Sequence, residues 1–215
     1  MQNLSSSTQE GSLNPETIKL ISAVVCIIGG IPYIIQTYRR NIDPQITSWA
    51  LWSLIALAIL VTYDSASDGA SYWVAVVSFI NPSIITVMLV MQGGMKRKLN
   101  RLDYACIAFG IAAIACWFWM RDNRHLAQYA LYLALLADLC AAVPTIRFVW
   151  TDPKEDRPGA WLIFALGMGI SLFAVTDYTP ANMTYAVYMV LGSTSTALPL
   201  VLYRVRHRIP LKEWI

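Results

Sequence analysis

Polar residues in this chain come in short clusters, and the stretches between them are almost wholly apolar. Seven such stretches can be drawn, at 17–38, 46–64, 71–92, 104–120, 127–150, 159–177 and 183–203. Each approaches the roughly 20 helical residues that cross a hydrocarbon core. Inside a bilayer, backbone groups must be satisfied within the segment, so runs of this kind predict transmembrane helices. The expected fold is therefore all-α and membrane-embedded.

Composition agrees with this pattern. The chain is 57% hydrophobic and only 13% charged, whereas soluble domains carry about 25% charged residues. Mean hydropathy is +0.51. Lys and Arg set an orientation. With seven crossings, alternate loops share a side, and thirteen of the sixteen Lys and Arg residues then fall on one side. The positive-inside rule puts the N-terminus outside and the C-terminus in the cytoplasm. Six or eight crossings would break this asymmetry. The net charge of +3 reflects cytoplasmic anchoring and implies no nucleic-acid partner. Short loops suit a bacterial inner membrane. The polar, Ser-rich N-terminal tail lacks a basic n-region, so it does not read as a cleaved signal peptide. The first span is expected to act as its own insertion signal.

The chain also repeats. Slid on itself by 112 residues, Pro32 lands on Pro144, Trp49 on Trp161, Tyr38 on Trp150, and Gly29-Gly30 on Ala141-Ala142. Asp-Pro follows in both loops, at Asp43-Pro44 and Asp152-Pro153. The unit has three spans, and a fourth span joins the copies. The expected layout is a 3+1+3 arrangement of two parallel three-helix bundles. Residues 1–16 form a tail predicted to be disordered. Residues 17–92 form the first bundle, 93–126 the linker helix with its loops, 127–203 the second bundle and 204–215 a basic cytoplasmic tail. Internal repeats of this sort characterise secondary transporters, with the substrate site near the midplane between the copies.

The 3+1+3 layout, with Pro32 and Pro144 in matched helices and Arg39-Arg40 after the first, resembles the SWEET / PQ-loop superfamily of seven-helix transporters. Gln follows the proline in that superfamily, whereas Tyr33 and Thr145 stand here. The chain thus resembles a divergent member. Vitamin-precursor transporters share the layout but match less well. The resemblance implies alternating access, with Pro32 and Pro144 as hinges. It also implies a pocket lined by an asparagine on the third helix and a tryptophan on the second, which points to Asn81 and to Trp52 or Trp49. Relatives that act as receptors imply an alternative, a non-transporting receptor or sorting protein on the same scaffold.

Span midpoints give depth independently. Asp138, Asn81, Ser193 and Thr194 all lie near mid-span, and Trp52 lies close to that level. Buried polar groups without partners are costly in hydrocarbon, so these are expected to face one another or a wet cavity. Asp138 is the sharpest signal, because a carboxylate at mid-membrane costs about 2.5–3.5 kcal/mol on insertion scales. Its counterpart in the first copy is Cys26. Three roles stand open for it: proton carrier, partner of a cationic substrate group, or structural acid. Asp64 and Asp177, with Tyr63 and Tyr178 and the nearby Asp68, lie at the outer ends of spans and are expected to form an outer gate. No Ser/His/Asp set, glycine-rich phosphate loop or metal cluster is present in the sequence, so neither a cofactor nor an enzymatic activity is expected. The expected partners are membrane lipid and a small polar solute, with a homo-oligomer left open.

Overall fold

The apolar stretches fold as helices whose ends are set by a few polar residues and prolines. In the computed structural model, residues 14–40, 46–67, 69–93, 101–154 and 156–214 are described, without the side chains of Thr47, Ser48, Leu102, Asp103, Cys106 and Pro144. Seven helices result: α1 Pro15–Tyr38, α2 Ile46–Ala66, α3 Tyr72–Met91, α4 Arg101–Met120, α5 Arg124–Thr151, α6 Pro158–Leu172 and α7 Pro180–Arg206. A single 3-10 turn, Leu211–Glu213, follows. No strand occurs among the described residues. The N-terminal tail through residue 13, the Asp43-Pro44 loop, Asp68 and the basic loop at 94–100 lie outside the described residues.

The starts of the helices have local causes. Asn14 Oδ1 accepts from Glu16 N at 3.1 Å, with Pro15 next in the chain. Asn123 Oδ1 accepts from His125 N and Leu126 N at 3.1 and 3.4 Å. Thr179 Oγ1 accepts from Asn182 N at 3.4 Å, ahead of Pro180. Side-chain caps satisfy amides that the first turn leaves unpaired, and proline lacks one of them. Each of the seven expected spans corresponds to one helix. The largest difference is at α6, which stops at Leu172 rather than 177. Asp177 and Thr179 are instead drawn into the cap of α7, where Asn182 Nδ2 donates to Asp177 O at 2.6 Å.

Five of the seven helices are long and apolar enough to cross a membrane: α1, the Trp49–Ala66 part of α2, α3, α5 and α7. Ile107–Met120 and Pro158–Leu172 are apolar but shorter. The surface fits the same reading. On α1, Leu20, Val24, Ile27, Ile28, Ile31 and Ile35 are exposed, while Ser22, Cys26, Gly29 and Gly30 are buried. The apolar side faces outward and the small side inward, as expected for an integral membrane protein packed through small residues.

Packing follows a regular rule. α3 lies against both α1 and α2, and α7 lies against both α5 and α6. The backbones of α1 and α2 do not approach each other closely among the described residues, and neither do those of α5 and α6. Between the triplets, α1 packs on α6 and α2 packs on α5. Exchanging α1, α2 and α3 with α5, α6 and α7 maps every one of these pairs onto another. α4 stands outside that exchange, against α5 and α2. The core between the triplets includes Ile55, Ile59 and Tyr63 on α2, Leu131 on α5, Met168 on α6 and Tyr185 on α7. The closest approach is at Gly167, where an added Cβ would meet Cys26 Sγ and lie 3.0 Å from Ser22 O.

Candidate functional site

The two triplets enclose a central cavity of about 170 Å³ that draws residues from six helices. α5 supplies Asp138 from its mid-length, and α7 brings Tyr188 to it. Tyr188 donates its hydroxyl to Asp138 Oδ2 at 2.7 Å. Asp138 Oδ1 accepts no hydrogen bond among the described residues. α3 supplies Asn81, whose carboxamide lies against Gly30 of α1. Asn81 Oδ1 is buried and has no hydrogen-bond partner. An unpaired buried acceptor costs roughly 1–3 kcal/mol, and this one is sealed against Gly30.

Toward the Arg-rich end the wall is aromatic. Tyr33 and Trp49 lie 4.9 Å apart between ring centroids. Trp49 meets Trp52 edge-on at 5.3 Å and 86°. Trp52 meets Trp161 at 6.4 Å and 75°. Three helices therefore contribute adjoining ring walls set steeply to one another. Behind Trp161, its indole Nε1 donates to Asp156 Oδ2 at 3.2 Å. Burial pushes the Asp156 carboxyl above its usual range, against the opposing pull of the Arg157 amide, Trp161 and Arg204. Arg204 Nη2 donates to Asp156 O at 2.7 Å and Nη1 to Pro153 O at 3.2 Å, so the end of α7 is tied to this wall.

Toward the end bearing Asp64 and Asp177 the cavity is closed by buried polar and aromatic packing. Tyr63 and Tyr185 pack at 5.0 Å. Tyr63 Oη accepts from Ser71 N at 3.0 Å, and Ser71 Oγ lies 2.9 Å from Ser171 Oγ. Tyr185 Oη donates to Ser78 Oγ at 3.3 Å. Tyr63, Ser71, Ser171 and Tyr185 are all fully buried.

The structure thus brings together Asn81, Asp138, Ser193, Trp49 and Trp52, all named from the sequence, in one cavity wall. Thr194 is placed differently. It is exposed on the far side of α7, and Thr196 lines the cavity with Ser193 instead. Neighbouring residues on a helix point about 100° apart, whereas residues three apart share a face. The four gate candidates are not brought together. Asp64, Asp177 and Tyr178 are exposed, and Tyr63 belongs to the buried closure. Pro32 lies inside α1. α5 stays helical through position 144, where the Pro144 side chain is among those not described.

Several wall residues were not singled out as site residues from the sequence. Trp161 was within reach, because the shift of 112 residues carries Trp49 onto it. The same shift pairs Tyr33 with Thr145, Trp52 with Phe164, Gly30 with Ala142 and Asn81 with Ser193, and all of these line the cavity. Tyr185 and Tyr188 carry no such signal, because Trp73 and Val76 occupy the matching positions. Among the described residues, no three His, Cys, Asp or Glu side chains gather as metal ligands. Chemically, the site offers hydrogen-bonding side chains and aromatic faces. Among the described residues, Asp138 is its single carboxyl, and no Lys, Arg or His lines it. Compared with known protein families, characterised proteins and solved structures, the chain gives no match.

Proposed function

We propose that the protein is a membrane transporter that moves a small polar solute by alternating access between two three-helix bundles. In this reading all seven helices cross the membrane, α4 links the bundles, and the N-terminus lies outside. The pairwise exchange of helix contacts supports the two-bundle arrangement. The observation that carries the function is the central cavity between the bundles. It has a carboxylate from the middle of α5 and is closed at one end by buried side chains. A site near the midplane at a repeat interface is the arrangement used by secondary transporters. In this reading Pro32 and Pro144 bend the first helix of each bundle as it rocks, because proline removes a helix hydrogen bond. Asp138 carries the coupling proton.

Purified protein in proteoliposomes tests this directly. Uptake of at least one member of a panel of sugars, amino acids, amines and vitamins is expected. Asp138→Asn is expected to abolish pH-driven uptake. Binding without any flux across the whole panel would instead favour a receptor on the same scaffold. Unchanged pH-driven uptake in the variant would remove Asp138 from the coupling.

A further inference from the structure

We infer that the cavity is built for a small protonated amine that carries no carboxylate. This rests on the transport reading for its direction of travel, but the binding chemistry stands on the wall itself. Three features of the wall point the same way.

The first is charge. Among the described residues, Asp138 is the only carboxylate lining the cavity, and no Lys, Arg or His lines it. A cation entering this low-dielectric space pairs with Asp138. A solute carboxylate would meet Asp138 with no counter-ion, which is the costly like-charge case. Anions and zwitterionic amino acids are therefore disfavoured.

The second is hydrogen-bond polarity. Asp138 Oδ1 accepts no hydrogen bond among the described residues and is left to take a donor from a solute. Several donors around it are already committed. Tyr188 donates to Asp138, Tyr185 to Ser78 and Trp161 to Asp156. The hydroxyls of Ser78 and Thr196 donate back to Val74 O and Gly192 O at 2.8 and 3.0 Å. An ammonium supplies only donors and fits the free carboxylate oxygen.

The third is the aromatic wall. Tyr33, Trp49, Trp52 and Trp161 offer faces and edges in steeply inclined planes. Aromatic faces attract cations electrostatically, and more strongly when water is excluded. The same rings shelter the apolar body of an alkyl or aryl amine. The N–H donors are expected at Asp138, with the body toward the rings.

The test uses the full chain in lipid nanodiscs and three probes that share one apolar body: 2-phenylethylamine, 2-phenylethanol and phenylalanine. Glucose serves as the polyol. By titration calorimetry, the amine is expected to bind at least about tenfold more tightly than the other three. Asp138→Asn is expected to weaken amine binding by about tenfold or more, and Tyr188→Phe, which keeps the carboxylate, by much less. If Asp138→Asn does not fold, Trp52→Leu takes its place, with a several-fold loss expected. Equal binding of the alcohol, phenylalanine or glucose overturns the inference, as does unchanged amine affinity in the folded variant. Uptake in proteoliposomes separates the two proposals. Flux of some other solute without amine binding sinks the amine and leaves transport standing. Amine binding at Asp138 without flux of any solute sinks transport and leaves the amine site standing.

Discussion

Asn81 owes its position to Gly30. A methyl group added at Gly30 would stand 3.0 Å from Asn81 Oδ1 and 3.1 Å from its Cγ, closer than ordinary van der Waals contact. Gly30→Ala is therefore expected to push the carboxamide aside and weaken amine binding several-fold. Alanine also favours the helix by roughly 0.5–1 kcal/mol relative to glycine, so the melting temperature should hold or rise. Calorimetry and a thermal melt on the same sample check both halves. At this scale the sequence was informative wherever depth alone decided the matter. Asn81, Asp138 and Ser193 were found by counting to the middle of their spans. Depth does not say which way a side chain points, and so Thr194 was paired with Ser193 although it faces away. Tyr188 was out of reach for another reason. Its role exists only because α7 crosses α5 at Asp138, and no local pattern encodes that crossing.

Helices α1 and α6 meet through small residues, with Gly167 against Cys26 and Gly29 against Ile163. A side chain at Gly167 has nowhere to go, since the ideal Cβ already meets Cys26 Sγ and the Ser22 carbonyl. Gly167→Leu is expected to separate the two helices and cost about 1–3 kcal/mol, the usual range for overpacking. A fall in the melting temperature would register this, and an unchanged melt would mean that the interface yields. The equivalent contact between α2 and α5 has Ile55 where α6 has Gly167, and Asp138 where α1 has Cys26. One inter-triplet interface is thus glycine-tight and apolar, while the other carries the acid. The elements themselves were legible, since seven apolar runs became seven helices. The end of α6 was not. Phe173, Ala174 and Val175 are apolar enough to extend a span on paper, yet the cap at Thr179 and the Asn182–Asp177 bond claim the chain that follows.

Across the whole molecule, the closure near Asp64 and Asp177 and the aromatic wall near the Arg-rich loops are at opposite ends of one cavity. Ser71 and Ser171 belong to different triplets, and their hydroxyl oxygens are 2.9 Å apart. A disulfide between Ser71→Cys and Ser171→Cys is expected to hold this end shut. Uptake into proteoliposomes should stop on oxidation and return with dithiothreitol, while amine binding persists. Uptake that continues in the cross-linked protein would mean that this end does not open during transport. The pairing of the two triplets was foreshadowed by the repeat at 112 residues, which carries Trp49 onto Trp161. The closure was not foreshadowed, because Ser71 and Ser171 lie 100 residues apart and fall out of that register.

The solitary carboxylate in the wall also has an electrical consequence. In the transport reading, the site with an ammonium bound carries no net charge, and the loaded carrier crosses between its two states indifferent to voltage. Emptied of both amine and proton, the site carries Asp138 alone. Moving one elementary charge through the full field is worth about 2.3 kcal/mol per 100 mV. A membrane negative inside favours the empty site when it is in contact with the outside. The potential would then act on the return of the unloaded carrier and reset it to collect amine from the outer side.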